Sequence, residues 1–129
     1  MDRLFFTVGA LFAFLGVAAG ALGTHGLKGH LDRVALDTFE IAVRYQMYHA
    51  LGLFGIAWAS TRWPTRLIRL SGLLFILGTV SFSGSLYLLS LMGIEHVSPL
   101  APIGGLLLLI GWGCLIGVGI GSLRNQSAA

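Results

Sequence analysis

The sequence has few charged residues, one cysteine and three prolines, and these shortages limit the classes of protein and the kinds of site that it can form. Charged residues make up only 10% of the 129 residues, whereas 56% are hydrophobic. The single cysteine, Cys114, cannot form an intrachain disulfide or a thiolate metal cage, and inside an apolar run it is expected to be a small buried hydrophobe. The sequence also lacks a nucleotide-binding loop, a His-Glu-x-x-His pattern, a Gly-x-Ser-x-Gly motif and an internal repeat. These absences do not exclude a membrane enzyme, but they supply no motif for one.

The sequence does contain long runs of apolar residues. Its mean hydropathy is +0.87, and four long apolar runs account for that value. A hydrocarbon layer of ~30 Å requires about 20 apolar residues per crossing helix, whereas a soluble core does not need such runs. We therefore predict an all-α integral membrane four-helix bundle that forms a single transmembrane domain over residues 1–129. The predicted spans are residues 4–23, 33–60 with an amphipathic start, 67–92 and 102–123.

The basic residues flank the apolar runs and do not form one patch, which disfavours nucleic-acid binding and predicts the lipid bilayer as the surroundings. With four spans, one side of the membrane holds Arg3, Arg62, Arg66, Arg69 and Arg124. The other side holds three basic residues, Lys28, Arg33 and Arg44. The positive-inside rule then predicts a multi-pass membrane protein with both termini in the cytoplasm.

The first apolar run has two interpretations. Ala19-Gly20-Ala21 resembles a signal-peptide cleavage site, so a secretory signal is the alternative to a span. The run from Leu4 to Gly23 is too long for a typical signal core and its basic start is thin, so we favour a span. Within it, Gly16 and Gly20 stand four residues apart, which predicts a helix-packing seam.

The most unusual stretch is Glu40 to His49, which contains Glu40, Arg44, Tyr45, Gln46, Tyr48 and His49. It continues directly into an apolar segment, where hydrogen-bonding groups are costly unless they find partners. Glu40 precedes Arg44 by four residues, the favourable order for an ion pair on a helix, and we predict that pair. The stretch is the candidate binding cluster, to which the polar connection before it adds His25 and Lys28. His25 and His30 do not share a helical face, so we predict no metal site and no cofactor.

The third span carries Ser83, Ser85 and Tyr87 in the phrase Phe-Ser-Gly-Ser-Leu-Tyr. The simpler interpretation is that these hydroxyls bond between helices beside a close-packed Gly84. The functional interpretation is that they face the Glu40–His49 stretch and line a small polar cavity. The last span contains a ridge of glycines four residues apart, Gly113, Gly117 and Gly121, which predicts packing against another helix of this chain or of a second copy.

Four phrases occur in order along the chain: Thr-His-Gly-Leu-Lys at 24–28, Phe-Glu-x-Ala-Val-Arg-Tyr-Gln-Met-Tyr-His-Ala at 39–50, Phe-Ser-Gly-Ser-Leu-Tyr at 82–87 and Pro-Ile-Gly-Gly at 102–105. Together they resemble the domain-of-unknown-function DUF423 family of small bacterial inner-membrane proteins, which has small transmembrane relatives in animal cells. The resemblance covers essentially the whole chain, and the Arg-Tyr-Gln-x-Tyr-His phrase is its most specific part. It implies a small multi-span membrane protein without an established reaction, so it assigns no catalytic residue.

Three functions fit these patterns. The one we favour is a non-enzymatic bundle that forms a homo-oligomer or accompanies a larger membrane-protein partner through its glycine seams. The alternative is a small transporter or proton-handling protein in which Glu40, Arg44, His49 and Tyr87 line a polar route. The weakest is a metal- or quinone-linked membrane enzyme that uses His25, His49 and Tyr45.

Overall fold

The protein is a bundle of four long helices, described for residues 1–127 by a computed structural model. The helices are α1 (Asp2–Leu22), α2 (Arg33–Arg62), α3 (Arg66–Met92) and α4 (Leu100–Ser127). A π-helical turn, Gly23–Leu27, follows α1, and a short 3-10 turn, Glu95–Val97, precedes α4. Residues 1–127 contain no β-strand, so the predicted all-α membrane bundle is confirmed. The last helix begins two residues before the predicted position 102 and continues past position 123.

Local sequence explains where α2 and α3 begin and end. The Asp32 carboxylate caps α2 by accepting a hydrogen bond of 2.8 Å from the Ala35 N–H, one of the groups that the first turn leaves unpaired. The Thr65 hydroxyl caps α3 in the same way, at 3.2 Å from the Ile68 nitrogen. Gly93 ends α3 with φ of 64°, a left-handed conformation that glycine adopts at little cost.

The second helix is antiparallel to the first over its whole length. A Cβ added at Gly23 would lie 3.1 Å from the Phe39 ring, so the start of α2 packs against the end of α1. Thr61, near the end of α2, lines the same surface depression as Asp2, at the start of α1. Because the two helices run side by side from end to end, α2 crosses the same thickness as α1.

Both ends of the described chain lie beside the connection between α2 and α3. The fully buried Phe5 ring packs over Gly72, so α1 and α3 begin at the same end of the bundle. Gly121, in the last part of α4, lines a depression together with Arg62 and Pro64. We call this end of the bundle the arginine end, after the arginines at 62, 66 and 69, and we call the opposite end the loop end.

Among the described residues, three helices are long and apolar enough to cross a membrane by length and composition. With their adjoining turns these candidates are Asp2–Leu27, Arg66–Met92 and Glu95–Arg124. The 30 residues of α2 give it a length of about 45 Å at 1.5 Å per residue, but its first half carries charged side chains. Since α2 packs along α1 from one end to the other, it crosses with the three apolar helices.

Glycines in α1 allow α2 to pack closely. A Cβ at Gly16 would lie 2.6 Å from the Met47 sulfur, and a Cβ at Gly20 would lie 3.5 Å from the Val43 side chain. The predicted Gly16–Gly20 seam therefore faces α2. The two helices approach more closely at Gly16 than at Gly20. A side chain at Gly16 would therefore require the Met47 side chain to move.

The tightest approach of two helices is that of α3 and α4 at Gly104. A Cβ there would strike the backbone nitrogen of Phe82 and would lie 2.9 Å from the Gly78 carbonyl oxygen. Gly84, which the sequence predicts to be close-packed, would instead meet nothing within 4 Å. The expectation for Gly84 is corrected because α3 borders a cavity at this point and not a neighbouring helix.

The glycine ridge of α4 makes little contact with the other helices of the described chain. A Cβ at Gly113 or at Gly121 would meet nothing within 4 Å among the described residues, and one at Gly117 would meet only Leu67, at 3.7 Å. The face that α4 turns toward α3 carries Gly104 and Gly111 instead. Packing of the ridge against a second copy stays a prediction.

Candidate functional site

Gln46 joins three helices in the middle of the bundle. Its buried amide donates a hydrogen bond of 2.8 Å to the Phe12 carbonyl oxygen in α1, and its oxygen accepts one of 2.9 Å from the Tyr87 hydroxyl in α3. Phe12 stands ten residues from each end of α1, so these groups lie near the mid-plane, about 15 Å from either end of that helix. Hydrocarbon offers no water as a substitute partner, so these bonds hold the three helices together at that depth.

His49, one turn further along α2, uses both ring nitrogens. Its Nδ1 lies 2.7 Å from the Tyr45 carbonyl oxygen, and the Trp112 indole N–H in α4 donates to its Nε2 at 3.2 Å. An indole N–H only donates and a carbonyl only accepts, so the imidazole is neutral and carries its hydrogen on Nδ1. The Phe75 ring packs edge-on against it with centroids 4.9 Å apart. Both nitrogens are thus engaged within the chain.

Two serine hydroxyls of α3 bond across to neighbouring helices. Ser83 donates to the Ala42 carbonyl oxygen in α2 at 2.8 Å, and Ser71 donates to the Gly111 carbonyl oxygen in α4 at 2.8 Å. Ser85 is also buried, but it bonds to a carbonyl three residues earlier in its own helix. The simpler sequence interpretation, hydroxyls that bond between helices, therefore describes Ser83 and not Ser85.

Glu40 and Arg44 lie on the outer face of α2 and do not pair. Both side chains are exposed, and within the described chain neither has an oppositely charged group within 4.0 Å or a hydrogen-bond partner. The predicted ion pair is corrected. The neighbouring Val43 packs against Gly20, near the loop end of α1, so the Glu40 and Arg44 side chains can reach the headgroup layer. Solvated charges gain little from pairing and lose side-chain freedom by it.

The loop-end members of the predicted cluster are separate from the buried residues. His25, in the π-helical turn, and Lys28, just after it, are both exposed. Neither has a hydrogen bond to Gln46, His49 or Tyr87. In the described part of the chain, no group of three or more His, Cys, Asp or Glu side chains is placed to hold a metal ion.

Two cavities border the buried polar residues. One, of about 650 Å³, lies between α2 and α4 and is lined by Tyr45, Tyr48, His49, Phe82 and Trp112 with apolar neighbours. Tyr45 packs on the Phe82 ring with centroids 4.5 Å apart, and both tyrosines are more than a third exposed. This aromatic groove is open along the outer face of α2.

The other cavity, of about 420 Å³, lies between α1, α2 and α3. Gln46, Ser83 and Tyr87 line it together, so the structure brings these three predicted residues to one place, without Glu40 or Arg44. Thr79 also lines it, and the Thr79 hydroxyl is the one buried side-chain polar atom in the described chain that has no hydrogen-bond partner. We call this space the inner cavity.

Sequence reasoning left three participants out of the candidate site. The Phe12 carbonyl could not be predicted as a hydrogen-bond acceptor, because a backbone group carries no residue-specific pattern. Trp112 could have been predicted, since an indole N–H in the middle of a span needs an acceptor and the His49 imidazole can provide one. Thr79 lies three residues before the Phe-Ser-Gly-Ser-Leu-Tyr phrase of α3, and the sequence does not distinguish its hydroxyl from those of Ser83 and Ser85, which have partners.

Four membrane-crossing helices, tied by hydrogen bonds at mid-depth and charged chiefly near their ends, define a small multi-pass helical membrane protein. The chain belongs to the family described as Protein of unknown function (DUF423), whose model matches residues 19–105. The resemblance read from the sequence is therefore confirmed.

Curated relatives agree over nearly their whole length. A UPF0382 membrane protein of Staphylococcus haemolyticus is 45% identical over 114 residues, which cover 88% of this chain and 93% of that protein. A UPF0382 membrane protein of Haemophilus influenzae is 35% identical over 98% of this chain and 99% of its own length. The UPF0382 inner membrane protein YgdD of Escherichia coli is 33% identical over 95% of this chain and 92% of its own. No solved structure matches the chain.

Proposed function

We propose that the chain is a single transmembrane domain without catalytic activity that associates with a second copy of itself through α4. The observation that carries the proposal is that, within the described chain, a Cβ at Gly113 or Gly121 would meet nothing within 4 Å and one at Gly117 would meet only the Leu67 side chain, at 3.7 Å. Within the bundle, α4 packs chiefly on α3, and the ridge lies on another face.

The ridge has the properties of a helix-association surface in lipid. Residues four apart lie on one face of a helix, and glycine leaves that face without side chains. Lipid tails are as apolar as leucine, so helices associate in a membrane through close van der Waals packing and not through the hydrophobic effect. An uncovered ridge of this kind gains such packing only when another helix lies against it.

Cys114 offers a native probe of this association. It is the only cysteine, it directly follows Gly113, and it is partly exposed. In a two-fold symmetric pair whose axis lies along the membrane normal, both copies of Cys114 lie at the same depth. Any disulfide between the two copies must therefore join two chains at this part of α4.

The test is oxidation in native membranes, followed by measurement of the disulfide-linked dimer on a non-reducing gel. We expect a dimer for the natural sequence and at least a several-fold loss in Gly113→Leu and Gly117→Leu, because the new side chains hold the helices apart. Gly55→Leu is the matched control, since a Cβ at Gly55 in α2 also meets nothing within 4 Å.

Equal dimer yields in all four proteins would contradict self-association through the ridge. A linked product with a different membrane protein would instead favour the other form of the hypothesis, in which the bundle accompanies a larger complex. Mass spectrometry of the linked product separates these two results.

We also propose that the protein resides in the bacterial inner membrane with the arginine end in the cytoplasm. Support comes from the arginines at 62, 66 and 69, which no acidic residue in that connection offsets. The test is labelling of Thr65→Cys in a Cys114→Ser background with a membrane-impermeant maleimide. We expect labelling only after the membrane is opened, and labelling in intact cells would reverse the orientation.

Transport of a solute or of protons remains the alternative, favoured by the burial of Gln46 and His49 and the partial burial of Tyr87 in the bundle. Their hydrogen-bonding groups are engaged with one another or with the backbone, which suits a lock between helices better than a route through them. Flux in proteoliposomes that His49→Ala abolishes without loss of folding would favour transport.

A further inference from the structure

We propose that the inner cavity binds the head group of an isoprenoid quinone, an uncharged ring with carbonyl oxygens and a long apolar tail. The cavity lies on the α1 side of α2, and the ridge of α4 is no part of it. This proposal therefore stands or falls independently of self-association.

The lining selects an uncharged, ring-shaped ligand. No residue that lines the cavity carries a charged side chain, so a charged head group would be desolvated there without compensation. The rings of Phe12, Phe39 and Tyr87 form part of the wall, and the last two pack with centroids 5.1 Å apart. Aromatic side chains in a wall favour a planar ring packed against them.

Thr79 supplies an unused hydrogen-bonding group. Its side chain is 3% exposed, and its hydroxyl lacks the bond to a carbonyl one turn earlier that threonine often makes in helices. A buried hydroxyl without a partner is unfavourable, so a ligand acceptor would improve the site. Threonine has two favourable χ1 positions in a helix, and the proposal requires the one that points the hydroxyl at a ligand carbonyl.

The depth of Thr79 decides which lipid carbonyl can reach it. It stands thirteen residues from each end of α3, or about 20 Å along the helix, and thus at the mid-plane. The ester carbonyls of glycerolipids belong to the interfacial layer outside the ~30 Å hydrocarbon core. A quinone carries its carbonyls on a head that is itself apolar enough to enter the core, so it can present one at this depth.

Size and access also fit such a ligand. The volume of 420 Å³ is nearly three times the ~150 Å³ of a cavity that holds one benzene ring, which leaves room for a substituted ring and the first part of a tail. Leu15, Val80 and Leu91 line the cavity and are exposed on the surface of the bundle. A ligand can therefore enter sideways from the hydrocarbon and leave its tail in the lipid.

The test fills the cavity without disturbing a helix contact. Gly84 lines the cavity and a Cβ there would meet nothing within 4 Å, so Gly84→Leu places a side chain in the ligand's space. The protein in phospholipid nanodiscs is titrated with a decyl-substituted benzoquinone, and the thermal unfolding midpoint is followed by circular dichroism. We expect the quinone to raise the midpoint of the natural sequence and of Gly55→Leu, and to require more than a tenfold higher concentration in Gly84→Leu.

A second variant separates a ligand contact from a packing defect. Thr79→Val keeps the shape and removes the unpartnered hydroxyl, so without quinone its unfolding midpoint should equal or exceed that of the natural sequence. With quinone, the concentration for half the effect should rise about fivefold, because one hydrogen bond to the ligand is lost. These opposite directions are not expected of a residue that serves only the fold, and they remain measurable if Gly84→Leu fails to fold.

A quinone effect of equal size in the natural sequence, Gly84→Leu and Thr79→Val would overturn the proposal, as would the absence of any effect. Monoolein, an uncharged glycerol ester, is the comparison ligand. A Gly84-dependent shift produced by monoolein and not by the quinone would overturn the quinone assignment and indicate a neutral acyl lipid instead.

Discussion

On the inner face of α2, Gln46 and His49 are buried and each makes two hydrogen bonds, whereas the Glu40 and Arg44 side chains on its outer face are exposed and make none within the described chain. The four residues lie within ten positions of one helix, so sequence neighbourhood does not decide their role. What decides the role of each residue is its depth in the membrane and the direction in which its side chain points. A group turned inward at mid-membrane needs a protein partner, while one turned outward near the loop end can reach the headgroup layer.

The formally charged residues of α2 are thus not the ones that join the helices. Neutral side chains, an amide, an imidazole, a phenol and an indole, make the bonds between helices at mid-depth. A neutral group loses less hydration than an ion on entering hydrocarbon, so its hydrogen bond can leave a net gain. Three sets of substitutions test this difference between the inner and outer faces of α2.

The largest effect is expected for Gln46. Gln46→Leu leaves the Tyr87 hydroxyl without its acceptor in hydrocarbon, and we expect a loss of about 2 kcal/mol in the free energy of unfolding. Tyr87→Phe should cost about 1 kcal/mol, and the double variant should cost less than the sum. Unfolding by SDS in mixed micelles, followed by circular dichroism, measures these values. Tyr48→Phe, on the outer face, is the control and should change little.

A smaller effect is expected for the pair His49 and Trp112. His49→Phe keeps an aromatic ring against Phe75 but leaves the indole N–H unpaired, at a cost of about 1 kcal/mol. In the background of Trp112→Phe, which removes that N–H, His49→Phe should cost measurably less in the same SDS titration. Equal costs in both backgrounds would show that the 3.2 Å bond contributes no stability.

The smallest effect is expected on the outer face. Glu40→Gln and Arg44→Gln should each change the free energy of unfolding by less than about 0.5 kcal/mol, because both side chains are exposed and unpaired. The double variant should equal the sum of the two. A coupling above about 0.5 kcal/mol would restore the ion pair that the sequence spacing indicates and would break the contrast between the two faces.

The two faces of α2 follow the helical period. At 100° per residue, Glu40, Arg44 and Tyr48 share an arc, and all three are exposed in the structure. Periodicity does not predict whether the polar side chains on a face pair with one another. The spacing of Glu40 and Arg44 permits a pair but does not require one, since the cost of leaving charges unpaired depends on whether water and headgroups reach them.

The glycines show that sequence spacing alone does not identify a close contact. Gly16 and Gly104 are close contacts, whereas Gly84 borders a cavity and Gly113 faces outward, although all four lie within long apolar runs of the sequence. A small-residue spacing identifies a surface that can pack closely. Which surface does so depends on the helix opposite it, and that is a property of the assembled bundle.

The sequence by itself determined the class of protein, the four helices and most of their ends, because crossing hydrocarbon requires long apolar helices and because caps and glycine are local signals. Only the tertiary structure decided which polar groups meet. The bonds of Gln46 to Phe12 and Tyr87, and of His49 to Trp112, join residues 34, 41 and 63 positions apart. In lipid, one apolar helix has little hydrophobic preference for another, so these partners follow from shape complementarity and hydrogen bonding between whole helices and not from any local pattern.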